Sequence, residues 1–168
     1  MKAIDTFIYF AYGSNLDPER LHLNCPSAQF LSAGKLSDFT LNFTKTSEIR
    51  WKGGVADIIE TPNASMWGAI WQINISESDA LDRQEGVYAN PQGYHRLDVT
   101  VESTDGRSIE CRTYQVTVRE ALNIPPSPAY KDTLVRGAKY CKLPADYQAL
   151  IANIQDNGQA GGDPKLEP

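Results

Sequence analysis

The sequence feature that most constrains this chain is a strand-to-helix segment close to its beginning. Residues Phe7–Tyr12 are apolar or aromatic without polar alternation, which is the pattern of a strand buried on both faces. Gly13 then permits backbone angles that a Cβ would forbid, and Asp17 followed by Pro18 is typical of a helix cap and first helical position. The sequence therefore predicts a core strand, a tight loop and a helix N-terminus in immediate succession.

The loop of this segment is a candidate anion site. Backbone N–H groups at the start of a helix lack partners along the chain, so they can face an anion or a developing oxyanion. The N–H groups in question belong to Gly13, Ser14, Asn15 and Leu16. An ordinary turn of small polar residues would have the same local sequence, so the loop alone does not decide between the two interpretations.

Composition indicates a globular chain without a nucleic acid partner. The 168 residues are 41% hydrophobic and carry a net charge of −5, with Lys and Arg scattered rather than clustered. We predict one domain over residues 1–157 and a disordered Gly-rich tail at 158–168. Because no apolar run reaches membrane-spanning length and the N-terminus lacks a signal-peptide pattern, we expect no membrane association and a cytoplasmic location.

The cysteines and histidines favour neither a disulfide framework nor a metal centre. Three widely spaced cysteines, Cys25, Cys111 and Cys141, are expected to be reduced thiols. Two histidines are too few for a zinc cluster, and His22 with Cys25 forms only an isolated H-x-x-C pair. We therefore predict no metal site.

Glu85 is the candidate general base. Residues 76–79 approximate a helix cap, a short helix follows, and Gly86 can end that helix in a left-handed conformation. Glu85 shares a helix face with Leu81, which is expected to turn inward, so the carboxylate would point toward the core. Desolvation and the negative end of the helix dipole would both raise its pKa, as a base for an amine proton requires. A solvated glutamate at a frayed helix end is the alternative.

Short strands are expected to form the rest of the sheet. The first of them span residues 29–36, 39–44, 55–60 and 66–74. The last two are predicted to form a hairpin that turns at residues 61–65. The polar stretch 45–54 is either a flap over a pocket or a plain connection.

A further hairpin is expected between the strands Tyr94–Glu102 and Ser108–Val118. A two-residue turn would set Val99 opposite Arg112 on a buried face, whereas a three-residue loop with a left-handed Gly106 avoids this pairing. The favoured register sets Leu97, Val99 and Val101 opposite Thr113, Cys111 and Ile109.

Three tyrosines are candidate pocket residues. Tyr94 and Tyr114 share the other face of this hairpin, for which an ordinary exposed surface is the alternative. Tyr130 follows the stiff Pro125–Pro128 segment and lies in the first turn of a predicted helix. A proline run fixes where that side chain emerges, and a plain core tyrosine is an equally good interpretation.

Four sequence blocks together resemble the γ-glutamylcyclotransferase family. The blocks are Tyr9–Leu16, Leu81–Val87, Cys111–Tyr114 and Pro125–Lys131 with Gly137-Ala138. They occur in the family's order and span residues 7 to about 155. The resemblance implies an α+β fold in which a small mixed β-barrel is surrounded by helices.

The resemblance also implies a site. Glu85 would be the catalytic residue, and no metal or other cofactor is implied. The implied substrate-binding residues are Tyr9, Phe10, Ala11, Tyr12, Gly13, Ser14, Asn15, Tyr94, Tyr114 and Tyr130.

The family reaction needs no nucleophile from the protein. The α-amine of a γ-glutamyl dipeptide attacks its own γ-carbonyl, closes 5-oxoproline and expels the second amino acid, with Glu85 as general acid and base. The implied partner is a small-molecule γ-glutamyl substrate. Cyclotransferases for γ-glutamylamines, glutathione or a γ-glutamyl-protected metabolite would share these motifs, and a non-catalytic γ-glutamyl-binding module is a further alternative. A homodimer is compatible with the sequence, which does not determine the oligomeric state.

Overall fold

The computed structural model describes residues 3–160. Within that range the strands are β1 (Thr6–Ala11), β2 (Gln29–Ser47), β3 (Gly53–Asn74), β4 (Tyr94–Ser103) and β5 (Ser108–Val116). The α-helices are α1 (Pro18–His22), α2 (Ser78–Gln84), α3 (Pro128–Tyr140) and α4 (Ala145–Ala152). Short 3₁₀ turns at Ser14–Leu16 and Ile75–Glu77 precede α1 and α2. Of the tail predicted at 158–168, residues 161–168 lie outside the described residues.

The strands close into a mixed barrel with the order β1-β3-β2-β4-β5. β1 runs antiparallel to β3, from Thr6 opposite Asn74 to Ala11 opposite Ala69. β5 returns to β1 through a parallel bridge between Tyr9 and Arg112, which makes the sheet mixed. The fully buried side chains include Phe10, Ile58, Ile70, Trp71, Leu81, Leu134 and Ile151. The predicted α+β fold, a mixed barrel with helices around it, is confirmed.

Two long strands replace the four short ones that the sequence predicted. β2 and β3 span 19 and 22 residues and pair with each other along most of their length. The predicted hairpin across 61–65 is wrong, because those residues lie inside β3 and both of its halves pair with β2. Asp38 and Asn63 take φ angles of 66° and 68°, and the Asn63 N–H donates to Asp38 Oδ1 at 3.0 Å. The turn residues therefore form a bulge, and the chain reverses at 48–52 instead.

The predicted register of β4 and β5 is confirmed. Val99 lies opposite Cys111, and the remaining pairs follow in the same register. Gly106 has a φ of 85°, as the three-residue loop requires. None of the helices within residues 3–160 combines the length and apolar character that crossing a bilayer demands.

Candidate active site

A cavity of about 420 Å³ opens where β1 ends. It is lined by Tyr9, Tyr12–Asn15, Arg20, Lys45–Trp51, Val55, Ala56, Arg83–Gly86, Ala89, Gly93, Tyr94, Tyr114 and Tyr130. The cavity thus brings together Glu85 and each predicted substrate-binding residue except Phe10 and Ala11.

Phe10 and Ala11 lie in the core beside the cavity rather than in its wall. Both are fully buried. The Phe10 ring packs over Gly68, where an added Cβ would come within 2.6 Å of the ring. The Phe10 carbonyl oxygen accepts a hydrogen bond from Thr113 Oγ1 at 2.8 Å. These two residues therefore anchor the end of β1 in the core, and in this way they position the loop that follows it.

Position 13, in the loop after β1, requires a glycine because neighbouring atoms leave little space for a side chain. Its φ is −117°, so the unusual backbone angle expected from the sequence is not a left-handed one. A Cβ at this position would lie 3.1 Å from both Ala56 Cβ and the Tyr130 hydroxyl, tighter than ordinary contacts. Glycine is thus explained by the close approach of β3 and α3 to the loop.

The loop amides are only partly available to a ligand. The Leu16 N–H donates to the Gly13 carbonyl at 3.0 Å, which forms the 3₁₀ turn. The expectation that four consecutive N–H groups face an anion is therefore wrong for Leu16. The predicted cap is present, since Asp17 accepts from the Glu19 N–H at 3.1 Å.

Glu85 lies at the residue where α2 ends. Its N–H donates to the Leu81 carbonyl at 3.1 Å, and Gly86 has a φ of 69°, the left-handed end that the sequence predicted. The Tyr94 N–H donates to the Glu85 carbonyl at 3.0 Å, so the start of β4 is anchored beside it. The Glu85 carboxylate accepts a hydrogen bond from Asn15 Nδ2 at 3.1 Å. The first and second blocks of the sequence meet at this contact.

Burial of the Glu85 carboxyl raises its pKa from an ordinary 4.5 to about 7. The positive charges of Arg20 and Arg50 oppose this shift, and the negative charge of Asp82 adds to it. The direction is the one that the sequence predicted, with desolvation as the main cause. A carboxyl that is close to half ionised at neutral pH can both accept and return a proton.

A chain of side-chain amides orients this carboxylate. Asn24 Nδ2 donates to Gln84 Oε1 at 2.8 Å, and Gln84 Nε2 donates to Asn15 Oδ1 at 2.9 Å. Asn15 Nδ2 in turn donates to Glu85 Oε1 and, at 3.0 Å, to the Tyr9 hydroxyl. Sequence reasoning missed Asn24 and Gln84. The one available signal was that Gln84 directly precedes the predicted base.

The tyrosines of the wall make specific hydrogen bonds with the backbone. The Tyr94 hydroxyl donates to the Ala56 carbonyl at 2.6 Å, and the Tyr130 hydroxyl accepts from the Ala56 N–H at 2.9 Å. The Tyr12 hydroxyl donates to the Tyr114 carbonyl at 2.5 Å. Burial raises the pKa of each of these phenols, so they are neutral donors and acceptors at physiological pH.

Several known proteins resemble this chain in sequence and in fold. The AIG2-like family model matches residues 65–151. The chain is 45% identical to bovine γ-glutamylcyclotransferase and 42% identical to the human protein of that name, each over 94% of this chain and 83% of the relative. A solved structure described as a γ-glutamyl cyclotransferase has a TM-score of 0.87 at 40% identity, covering 94% of this chain and 92% of that one. The chain belongs to the γ-glutamylcyclotransferase family. The resemblance predicted from the four blocks is confirmed.

The wall of this γ-glutamylcyclotransferase-family cavity is supported from behind by Asp82. That carboxylate is fully buried and accepts from the Tyr114 hydroxyl at 2.6 Å and from Arg96 Nε at 3.0 Å. Arg112 Nη1 lies 3.7 Å from the same carboxylate oxygen, Oδ1. Burial alone would raise the pKa of Asp82, but the hydrogen bonds from Arg96 and Tyr114 lower it. Asp82 therefore stays ionised and holds Tyr114, whose ring packs edge-on against Tyr9 at 5.8 Å.

The turn between β2 and β3 contributes residues 48–51 to the cavity wall. Trp51 packs edge-on against the Tyr130 ring at 4.9 Å between centroids, and it is 4% exposed. The Lys45 ammonium lies 3.7 Å from the position that a Cβ on Gly93 would occupy. A positive charge thus lies beside the segment between α2 and β4 in the cavity wall. Residues 3–160 contain no group of three or more His, Cys, Asp or Glu side chains arranged to hold a metal ion.

Proposed function

We propose that this protein is a γ-glutamylcyclotransferase that converts γ-glutamyl amino acids to 5-oxoproline and a free amino acid, with Glu85 as general acid and base. The observation that carries the proposal is a single carboxyl with a pKa of about 7 in the cavity wall, oriented by Asn15. Membership of the γ-glutamylcyclotransferase family supports the same reaction.

The reaction needs a proton carrier more than it needs a nucleophile. Ionised Glu85 takes a proton from the α-ammonium of the substrate, and the freed amine attacks the γ-carbonyl carbon of the same molecule. The tetrahedral adduct forms with its charge on the former carbonyl oxygen. As that adduct collapses, the bond from the γ-carbon to the leaving nitrogen breaks, and the protons lost by the attacking nitrogen end on the leaving amine. No water is consumed, and no proton is gained or lost overall.

The cavity favours the folded conformation that this reaction requires. Attack within one molecule is fast when the reacting atoms are held close together, and enclosure by the aromatic wall restricts an otherwise extended glutamyl chain. Arg20 lies 4% exposed in the wall and adds positive charge near Glu85. A zwitterionic glutamyl group carries both charges that these two residues complement.

The experiment is to measure 5-oxoproline and alanine released from γ-glutamyl-L-alanine by the purified protein in the presence of a chelator. Equal amounts of both products are expected from the wild type and from Glu102→Gln, an exposed β4 variant that serves as the control. Glu85→Gln should release scarcely any. Turnover of glutathione or of γ-glutamylamines but of no dipeptide would overturn the substrate assignment. Tight binding without turnover of any of these compounds would identify a binding module instead.

We also propose that the protein works in the cytoplasm, as predicted from the sequence. Cys25, Cys111 and Cys141 are buried free thiols, and burial raises the pKa of each to about 12. Unpaired cysteines fit a reducing compartment. Fractionation of cells that express the full chain would test this, and recovery in a secreted fraction would contradict it. The homodimer and the lack of a nucleic acid partner stay predictions.

A further inference from the structure

One edge of β3 is completed by tyrosine hydroxyls rather than by a neighbouring strand. At Ala56 the backbone N–H donates to the Tyr130 hydroxyl at 2.9 Å, and the carbonyl of the same residue accepts from the Tyr94 hydroxyl at 2.6 Å. In an extended strand these two backbone groups point to the same side, so both hydroxyls lie next to each other in the cavity wall. Their bonds to Ala56 have opposite directions.

The direction of each bond determines what the hydroxyl can offer a ligand. A phenol hydroxyl has a single proton to donate and can also accept. Tyr94 has given its proton to the Ala56 carbonyl, so it faces the cavity as an acceptor. Tyr130 accepts from the Ala56 N–H, so its own proton is left to point into the cavity. The wall therefore carries an acceptor hydroxyl beside a donor hydroxyl.

The acceptor lies close to the proposed base. The Tyr94 N–H donates to the Glu85 carbonyl at 3.0 Å, and the charge of Glu85 is among the causes that raise the pKa of the Tyr94 phenol, after burial. The donor lies against the loop after β1, because its hydroxyl is 3.1 Å from the position of a Cβ on Gly13. Burial raises the pKa of Tyr130. The charge of Glu85 adds to that rise, and the hydrogen bond from the Ala56 N–H and the charge of Arg20 act against it.

We propose that the two hydroxyls bind different groups of the substrate. Tyr94, together with Glu85, accepts a hydrogen bond from the α-ammonium, and Tyr130 donates one to the γ-carbonyl oxygen. This assignment rests on the proposed cyclotransferase reaction. The reverse arrangement would leave the ammonium without an acceptor at Tyr130 and would set the lone pairs of Tyr94 against the developing oxyanion. Because negative charge grows on the γ-carbonyl oxygen only during attack, Tyr130 acts mainly in the transition state and Tyr94 already in substrate binding.

The first experiment compares two ligands that differ only in the ammonium group. γ-Glutamyl-L-alanine is the proposed substrate. Glutaryl-L-alanine lacks the α-amine and cannot cyclise, so it is expected to bind as a competitive inhibitor. Tyr94→Phe should raise the KM for the substrate by about tenfold or more, since a hydrogen bond to a charged group is lost. The inhibition constant of glutaryl-L-alanine should change less than about twofold. Tyr140→Phe, an exposed tyrosine of α3 outside the cavity wall, is the matched control and should change neither value.

Tyr130→Phe should instead lower kcat by about a hundredfold to a thousandfold with little change in KM, the effect of removing one oxyanion donor. That variant also leaves the buried Ala56 N–H without its acceptor, so folding must be checked by circular dichroism. Replacing the tyrosine with 3-fluorotyrosine avoids this problem because the hydroxyl is kept and made more acidic. A more acidic hydroxyl is a stronger donor and a weaker acceptor. Fluorination at Tyr130 should raise kcat, and fluorination at Tyr94 should raise KM.

Several results would overturn the assignment. Equal loss of affinity for the substrate and for glutaryl-L-alanine in Tyr94→Phe would make that residue only part of the wall. A lower KM after fluorination at Tyr94, or a lower kcat after fluorination at Tyr130, would exclude opposite polarities. Failure of the proposed reaction is seen separately, because the wild type would then release no 5-oxoproline. In that case calorimetric titration of both ligands into the wild type and Tyr94→Phe still decides whether Tyr94 recognises the ammonium.

Discussion

Replacing Glu85 by glutamine should lower the turnover and raise the stability at high pH. Both effects are expected because the ionisation of this one carboxyl affects both properties. Burial raises the pKa of the folded-state carboxyl from an ordinary 4.5 to about 7. A raised carboxyl pKa means that the folded protein binds this proton more tightly than the unfolded chain does. The resulting stability is fully present below pH 4.5 and is lost as the pH rises through 7. Each pKa unit corresponds to about 1.4 kcal/mol, so a shift from 4.5 to about 7 means that the wild type loses at most about 3.5 kcal/mol as the pH rises.

Glutamine keeps the size of the side chain and can still accept from Asn15, but it does not ionise. The free energy of unfolding of Glu85→Gln, minus that of the wild type, should therefore rise by about 2–3 kcal/mol between pH 4.5 and 8. Urea denaturation of both proteins at a series of pH values measures this difference. Glu102→Gln, which changes an exposed carboxylate of β4, should show no such rise.

The turnover of Glu85→Gln should fall, although its stability at high pH rises. Loss of a positioned base lowers kcat by about a hundredfold to ten-thousandfold, so Glu85→Gln should be more stable at pH 8 and almost inactive. In the wild type kcat/KM should fall as the pH drops, with a midpoint at about 7, because only the ionised carboxylate accepts the ammonium proton. A pH-independent stability difference would refute the buried-charge argument. Near-normal turnover would remove Glu85 from the mechanism and direct the search to Asp98 and His95, since Asp82 is held by Arg96 and Tyr114.

Three further substitutions test how the site is held. Gly13→Val should abolish 5-oxoproline binding measured by calorimetry while the melting temperature stays within a few degrees, because the new side chain crowds the Tyr130 hydroxyl; normal binding would reduce the loop to a turn. Gln84→Glu should lower kcat/KM about tenfold to a hundredfold and move its acidic limb to higher pH, since the new carboxylate turns the Asn15 amide away from the base; an unchanged pH profile would exclude the amide chain from positioning. Gly137→Ala should lower the free energy of unfolding by about 2–3 kcal/mol in urea, because a Cβ would lie 2.4 Å from the backbone of the loop after β1; full stability would mean that α3 shifts freely.

Local signals in the sequence predicted the elements that depend on neighbouring residues. The segment from Phe7 to Pro18 contains its own strand, turn and cap chemistry, and the structure has each of them. The β4–β5 register followed from alternation and from the left-handed Gly106 alone. Glu85 was recognised because its position contradicts local preferences. A carboxylate is unfavourable on an inward helix face and at the negative end of a helix dipole.

Longer-range features were mispredicted or missed. The turn residues around Asn63 signal a chain reversal by their composition, but Asp38, 25 positions earlier, takes the complementary left-handed conformation and turns the reversal into a bulge. Asn24 and Gln84 are separated by 60 positions, and their hydrogen bond exists only because the fold brings the segment after α1 next to the last residue of α2. Nothing in the local pattern around either residue distinguishes it from an exposed amide.

Ala56 shows why some functional groups leave no trace in a sequence. It lies in none of the four blocks that carry the family resemblance, yet its N–H and carbonyl orient both tyrosines to which we assign opposite roles. Any residue except proline has the same backbone N–H and carbonyl, so the role of these groups does not determine which residue stands at position 56. Only the side chain at that position is constrained. The constraint on that side chain is its size. The Ala56 Cβ lies 3.1 Å from the position that a Cβ on Gly13 would occupy. An alanine therefore fits in β3 only because the facing loop has a glycine. The glycine in the loop and the alanine in β3 are therefore one requirement, and a larger residue at either position would displace the donor and the acceptor hydroxyl together.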